Sequence, residues 1–232
     1  MRGVLGLDPL GDNRGLLVAE AAAAAAEAEG RLVGLDDLAD AIRGADVTLV
    51  ASGACIDDPI LDDTVKRTEV VIAADGAASL LLARGTCPDI IVTDFDGGFY
   101  PLTRCKDSIV VAHFHGDNAW IALDWSYRLG KLLCTVQQPW SIRCAYTPGF
   151  TDGDRALVLA ALLGARSIYV VGWCPQAPQH PETKPWYLAS MQAKRVKLRA
   201  AEYYYQLVSL LCRERLHCRI YTVGSDGRWE LA

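Results

Sequence analysis

The stretch Ile90-Ile91-Val92-Thr93-Asp94-Phe95-Asp96-Gly97 decides the fold. A short, mostly β-branched run ends in two aspartates and a glycine. Runs of this kind read as strands buried on both faces of a parallel sheet. The same pattern recurs on either side. Upstream, Val70-Val71-Ile72-Ala73-Ala74 runs into Asp75-Gly76; downstream, Ile109-Val110-Val111-Ala112 runs into His113-Phe114-His115-Gly116-Asp117-Asn118. In an open α/β sheet, ligands bind beyond the carboxyl ends of the strands. Successive strands that end in carboxylates crowd like charges there, and crowded like charges need neutralising. A hard divalent cation with oxygen ligands does this, and phosphate groups follow such cations.

Further along the chain the alternation continues. Strands are expected at 47–51, 70–74, 90–93, 109–112, 132–136, 167–171 and 218–223. Helices are expected at 76–84, 118–129, 154–163 and from Tyr187 to Leu216. The fold class is therefore α/β, a mostly parallel Rossmann-like sheet with helices on both faces. Residues 1–44 read as a small helical lead-in to an α/β catalytic domain at 45–232. Ala19–Glu29 has high helix propensity and stops at Gly30; Asp36–Ile42 is a second short helix. The alanine tract is expected to pack as a thin helix on the main domain.

The chain has 232 residues, 51% hydrophobic and 22% charged, with a formal net charge of -5. An acidic balance argues against a nucleic-acid platform, which is normally basic. No apolar run reaches the length of a membrane span, and the start lacks a signal-peptide core. The expectation is a cytoplasmic protein without nucleic-acid or membrane partners. The eight cysteines form no Cys-x-x-Cys pair, so free buried thiols are expected. Intracellular proteins of hyperthermophiles are the exception that pairs them.

Asp75, Asp94, Asp96 and Asp117 are the candidate metal ligands. A helix cap or turn accounts for any one of them alone, but not for strand-end carboxylates flanked by glycines throughout. Asp94 and Asp96 are two apart, so in extended chain they point one way and Phe95 turns into the fold. His113 and His115 repeat that spacing; either they handle a proton or a phosphate oxygen, or local hydrogen bonds hold them in a loop. Ser52-Gly53 opens a small-residue turn, through Asp57, whose N–H groups suit a phosphate or adenosine; a plain tight turn fits equally well. No Walker A loop is present. In Gly149-Phe150-Thr151-Asp152-Gly153-Asp154-Arg155, Thr151 or Asp152 can cap a helix. Asp152 also suits a substrate amidine edge, Asp154 adds a second carboxylate, and Arg155 suits a phosphate. Lys194 and Lys197 share one helix face, either solvated or overlooking the crevice.

Taken in order, Ala74-Asp75-Gly76-Ala77, Gly85 to Gly97, His113 to Asn118 and Gly149 to Arg155 resemble the archaeal-type 6-hydroxymethyl-7,8-dihydropterin diphosphokinase family. That family is distantly related to thiamin diphosphokinases, which carry a similar aspartate–phenylalanine–aspartate strand end. The likeness extends to Ser52–Asp57, to Asp12-Asn13-Arg14 and to Lys194–Leu198. Two segments depart from it. Gly53-Ala54-Cys55-Ile56 stands where the family usually has Gly-Pro-Ser-Leu, and Gly172-Trp173-Cys174-Pro175-Gln176 where it has Gly-Met-Asp-Phe-Gly. The resemblance implies Mg2+-dependent transfer of a diphosphoryl group from ATP to a reduced hydroxymethylpterin, releasing AMP, by a homodimer. Asp94, Asp96, His115 and Asp117 would be catalytic. Ser52, Gly53, Asp75, Gly76, Thr151, Asp152, Asp154, Arg155, Lys194 and Lys197 would bind the substrates. Competing readings are a thiamin diphosphokinase, a metal-dependent phosphohydrolase and a non-catalytic nucleotide-binding module.

Overall fold

The computed structural model describes residues 9–53, 59–173, 191–224 and 227–232. In chain order the elements are α1 (Pro9–Ala28), α2 (Leu35–Ile42), β1 (Asp46–Val50), α3 (Pro59–Arg67), β2 (Val70–Ala74), α4 (Ala77–Ala83), β3 (Ile90–Thr93) and α5 (Tyr100–Arg104). They continue with β4 (Ile109–Phe114), α6 (Ala119–Ser126), β5 (Lys131–Val136), β6 (Ala145–Tyr146), α7 (Asp152–Leu162), β7 (Ser167–Val171), α8 (Met191–Leu211), β8 (Arg219–Val223) and β9 (Trp229–Leu231). The strands form one sheet in the order β6-β5-β4-β3-β2-β1-β7-β8-β9. Every pairing is parallel except that of β8 with β9.

Strand alternation builds a core on each face of this sheet. Val71, Ala73, Ile91, Val110, Ala112, Phe114, Leu132 and Val136 pack one way, together with α1, α4 and α6. Val47, Leu49, Val70, Ile72, Ile90, Val92, Val111 and Leu133 pack the other way, with α2, α7 and α8. The α/β expectation is met. The alanine tract also packs as expected, with Ala19, Ala22, Ala23 and Ala26 buried in the first core. Alanines let α1 lie close to the sheet, and Leu32 bridges to Leu132 beside it.

The expected strands and helices are present among the described residues, most ends shifted by a residue or two as is usual; of the helix expected from Tyr187, residues 187–190 fall outside the described residues. Four elements begin or end elsewhere. α6 stops at Ser126, three residues short of the expected end. α1 starts at Pro9, well before Ala19, and Asp12 lies buried in its first turn. α8 gives way to a π-helical turn at Cys212–Leu216. α7 begins two residues early, at Asp152.

Free thiols are found at Cys134, Cys144, Cys212 and Cys218, all buried. Cys87 and Cys105 correct that expectation by forming a disulfide. They lie in the loops that enter β3 and β4, which are adjacent parallel strands, and this brings their Cα atoms to 5.3 Å. Cys55 and Cys174 fall outside the described residues. Among the described residues, no helix is long and apolar enough to cross a membrane.

Candidate active site

Turns at the carboxyl ends of β2 and β3, together with the first turn of α7, assemble a group of carboxylates. After β2, Asp75 takes a φ of 50°; after β3, Phe95 takes a φ of 71°. Residues with a Cβ rarely adopt such values, and holding one costs about 1–3 kcal/mol. Thr93 holds the second turn. Its hydroxyl accepts the Phe95 N–H at 2.8 Å and donates to Asp75 Oδ1 at 2.6 Å. The Phe95 ring is driven into the core, edge-on to Phe114.

Phe95 thus turns inward as the sequence predicts, but the chain is not extended there. Asp94 and Asp96 are brought together by a left-handed reversal, in which Asp96 N–H approaches Asp94 Oδ1 at 3.3 Å. Gly97 then donates its N–H to Asp75 Oδ1 at 2.9 Å. A Cβ at Gly97 would overlap Asp75 Oδ2 and Gly76 N, so only glycine closes the β3 turn onto the β2 turn.

Carboxylate oxygens of Asp75, Asp94, Asp96 and Asp152 all lie within 4.8 Å of one another. The sequence grouped Asp117 with the first three, and the structure differs. Asp117 is exposed in the turn before α6, outside that group, and its backbone N–H reaches His115 Nδ1 at 3.3 Å. Asp152 takes the fourth position because α7 lies across β3, β2 and β1, with its first turn at their carboxyl ends.

Residues 27–173, more than half of the chain, match the family described as 6-hydroxymethylpterin diphosphokinase MptE-like. The chain belongs to that family. It is 34% identical to the 6-hydroxymethyl-7,8-dihydropterin pyrophosphokinase of Pyrococcus furiosus over 62% of this chain and 65% of that one. The protein of the same name from Methanothermobacter thermautotrophicus is 42% identical over 44% of this chain and 45% of its own. That of Methanocaldococcus jannaschii is 34% identical over 60% and 62%. The chain thus spans less than two thirds of the relatives it matches. Among solved structures it is similar to a thiamin pyrophosphokinase from Candida albicans, at 16% identity and a TM-score of 0.39, covering 78% of this chain and 58% of that one.

Around the carboxylates of this MptE-like chain, the other candidate residues divide. His115 stands at the crevice with Nε2 3.6 Å from Asp94 Oδ2. His113 is no loop residue; it is fully buried in β4. Burial, then the nearby Arg155 guanidinium and His115, hold its pKa well below the ordinary histidine value. Arg155 is 4% exposed, with NH1 3.6 Å from Asp152 Oδ1 and NH2 donating to the Gly149 carbonyl at 3.3 Å.

Thr151 caps α7 as expected, and Asp154 completes a capping box. Asp154 Oδ1 accepts the Thr151 N–H at 2.7 Å and the Thr151 hydroxyl at 2.8 Å, while Oδ2 accepts the Phe150 N–H at 2.9 Å. Its carboxylate is committed to that turn rather than facing a ligand. Ser52 and Gly53 lie at the end of β1, where Gly53 N–H donates to Gly172 O at 3.0 Å; the rest of their turn falls outside the described residues. Lys197 is exposed on α8, and the Lys194 side chain lies outside the described residues.

Sequence reasoning assigned no role to Asn118. Although it stands at the N-cap of α6, its side chain does not cap the helix. Its amide donates to the carbonyls of Asp94 at 2.8 Å and His113 at 2.7 Å and accepts the His115 N–H at 2.9 Å. It therefore fixes the β3 turn against the β4 turn. The available signal was a lone amide residue directly after a strand-end glycine and aspartate.

Proposed function

We propose that the chain transfers a diphosphoryl group from ATP to the hydroxymethyl group of 6-hydroxymethyl-7,8-dihydropterin, releasing AMP. The observation that carries this reading is the convergence of Asp75, Asp94, Asp96 and Asp152 within 4.8 Å. Family membership and the names of the archaeal relatives supply the substrate class. The donor set is purely carboxylate oxygen, which fits a hard divalent cation of the Mg2+ class. Those four aspartates would hold it, and when bound it supplies neutralising charge to the polyphosphate.

The protein's own groups then position and balance charge. Arg155, buried beside Asp152, offers its guanidinium to a phosphate or carbonyl oxygen. Asp117 N–H approaches His115 Nδ1 at 3.3 Å, so a neutral ring would carry its proton on Nε2, the nitrogen 3.6 Å from Asp94 Oδ2. A strand-end aspartate then suits the acceptor hydroxyl's proton better than His115 does. Ser52 and Gly53 at the end of β1, together with Lys194 and Lys197, belong to the nucleotide side of this reading. The acidic chain needs no nucleic-acid or membrane partner for such work, and a cytoplasmic setting accompanies it. The homodimer implied by the resemblance is part of the proposal, and sedimentation velocity tests it.

The deciding experiment measures AMP release from ATP with reduced hydroxymethylpterin, with thiamin and with no acceptor, before and after chelation. We expect release with the pterin alone, and its loss on chelation with recovery when Mg2+ is restored. AMP release independent of any acceptor, or full activity after exhaustive chelation, sinks the proposal.

A further inference from the structure

On the α7 side of the sheet, a chain of hydrogen bonds leads away from the carboxylates toward the β5–β6 edge. The Thr135 hydroxyl donates to Ala112 O at 3.2 Å, because a carbonyl can only accept. Its oxygen therefore accepts from His113 Nδ1 at 3.0 Å. His113 is fully buried and stays neutral, so its Nε2 is left as an acceptor. Gln137 meets that Nε2 with its amide nitrogen at 3.2 Å. Each link fixes the next, and the last fixes the Gln137 amide, with Nε2 toward His113 and Oε1 turned away.

Two further atoms belong to this region. Thr147 is 1% exposed, and among the described residues its hydroxyl has no hydrogen-bond partner. It lies one residue beyond the last β5–β6 pair, Val136 with Tyr146, so it follows Gln137 across the edge. Arg155 is also buried, and its Nε has no partner among the described residues. Buried polar groups left unpaired are costly and rare in folded proteins. Here they stand at strand carboxyl ends, where this kind of sheet takes its ligands.

We infer that Gln137, Thr147 and Arg155 form the subsite for the acceptor's ring. The Gln137 Oε1 and Thr147 Oγ1 oxygens accept from two neighbouring N–H groups, and Arg155 Nε donates to a carbonyl oxygen. An amino-pyrimidinone edge has this complement: an amino group, a ring N–H and an oxo group. Adenine, with one amino group beside a bare ring nitrogen, does not match it. Asp152 and Arg155 share the first turn of α7. A ring held by Arg155 therefore directs its substituent toward the carboxylates. His113 and Thr135 are positioning residues that act only by orienting the Gln137 amide. The inference rests on the pterin reading given above.

The test compares Thr147→Val, Thr147→Ser and Gln137→Met with the wild type. KM is measured separately for the reduced pterin and for ATP, alongside the melting temperature without ligands. Thr147→Val removes a buried hydroxyl that has no partner, so the unliganded protein should melt no lower than the wild type. Its pterin KM should nevertheless rise roughly ten- to hundred-fold, with ATP KM unchanged. Thr147→Ser keeps the hydroxyl and should restore most of the pterin affinity. Gln137→Met should raise pterin KM in the same way. Unchanged pterin KM in Thr147→Val and Gln137→Met overturns the subsite while leaving pterin diphosphotransfer standing. A rise in ATP KM instead gives these residues to the nucleotide and also overturns it. A wild type that makes no AMP with the pterin defeats the functional reading itself, and the subsite with it.

Discussion

Phe95 and Gly97 make the carboxylate group possible, since one supplies a left-handed reversal and the other an approach that no Cβ would allow. The period-two spacing of Asp94 and Asp96 was legible, and so was the inward turn of Phe95. The reversal was not, because nothing in the sequence says that Thr93 reaches across to Asp75. Once Asp152 stands in the group, its expected behaviour changes. Asp152→Asn should cut turnover by roughly two orders of magnitude or more, as should Asp94→Asn, because each removes a charge from one cation site. Both variants should require more Mg2+ for half-maximal rate while pterin KM stays near wild type. A selective loss of pterin affinity in Asp152→Asn would return that residue to the acceptor. His113 carries a separate prediction about stability. Burial holds its folded-state pKa well below the ordinary value of 6.5. The unfolded chain therefore binds a proton that the folded chain refuses, and stability falls as pH drops below 6.5 toward the folded value. The slope from this one group is at most about 1.4 kcal/mol per pH unit. Denaturant unfolding from pH 8 to pH 5 should show it in the wild type, and His113→Asn should lack that component. Parallel profiles for the two proteins would refute the assignment.

Long β-branched runs made the central strands legible, since β1 to β4 are buried on both faces and need no partner to be recognised. The short elements were not. α5, Tyr100–Arg104, is too brief for periodicity to show, and β6 has two residues at the sheet edge. The start of α7 illustrates what was missed. Thr151 reads as a cap from sequence, but the position of the capped turn relative to Asp75 depends on where β6 ends. The disulfide was equally illegible, because pairing depends on strand adjacency rather than spacing. Cys87 and Cys105 are separated by 18 residues, and closing a loop of that size stabilises by about 3 kcal/mol in the chain-entropy model. In a chain of this size that corresponds to a melting temperature lower by roughly 6–12 °C when the bond is absent. Cys87→Ala, or the wild type kept in strong reductant, should show a drop of this kind. The bond lies at the amino ends of β3 and β4, away from the carboxylates, so turnover at moderate temperature should hold. An unchanged melting temperature in reductant would mean that the bond contributes nothing.

Across the whole molecule, strand order links the site to the fold. β1 to β6 step steadily toward one edge, and the chain then returns through α7 to place β7 on the other side of β1. That return lays α7 over β1, β2 and β3 and delivers Asp152 to the ends of strands far away in sequence. No local pattern encodes such a crossing, which is why Asp117, closer in sequence, looked the better fourth ligand. α1 joins the site by a similar long-range route. A Cβ on Gly15 would stand 2.8 Å from the backbone of His115, and one on Gly116 would stand 2.6 Å from Gly11 Cα. Backbone meets backbone here, so neither side can yield by rotating a side chain. Glu20 also holds the β5–β6 loop, accepting from the Ser141 hydroxyl at 2.5 Å and the Ile142 N–H at 2.6 Å. The helix before the sheet therefore presses on the turn that carries His115 and, through Asn118, on the turn that carries Asp94. Gly15→Ala should shift that turn and lower turnover by roughly tenfold, the size of effect that small misplacements of catalytic groups produce. Gly30→Ala is the control. Gly30 has a φ of 69° with open space around it, so alanine there costs about 1 kcal/mol of stability without touching the site. We expect similar losses in melting temperature for the two variants and a loss of turnover in Gly15→Ala alone. Equal turnover in both would show that α1 supports the sheet without setting the geometry at His115.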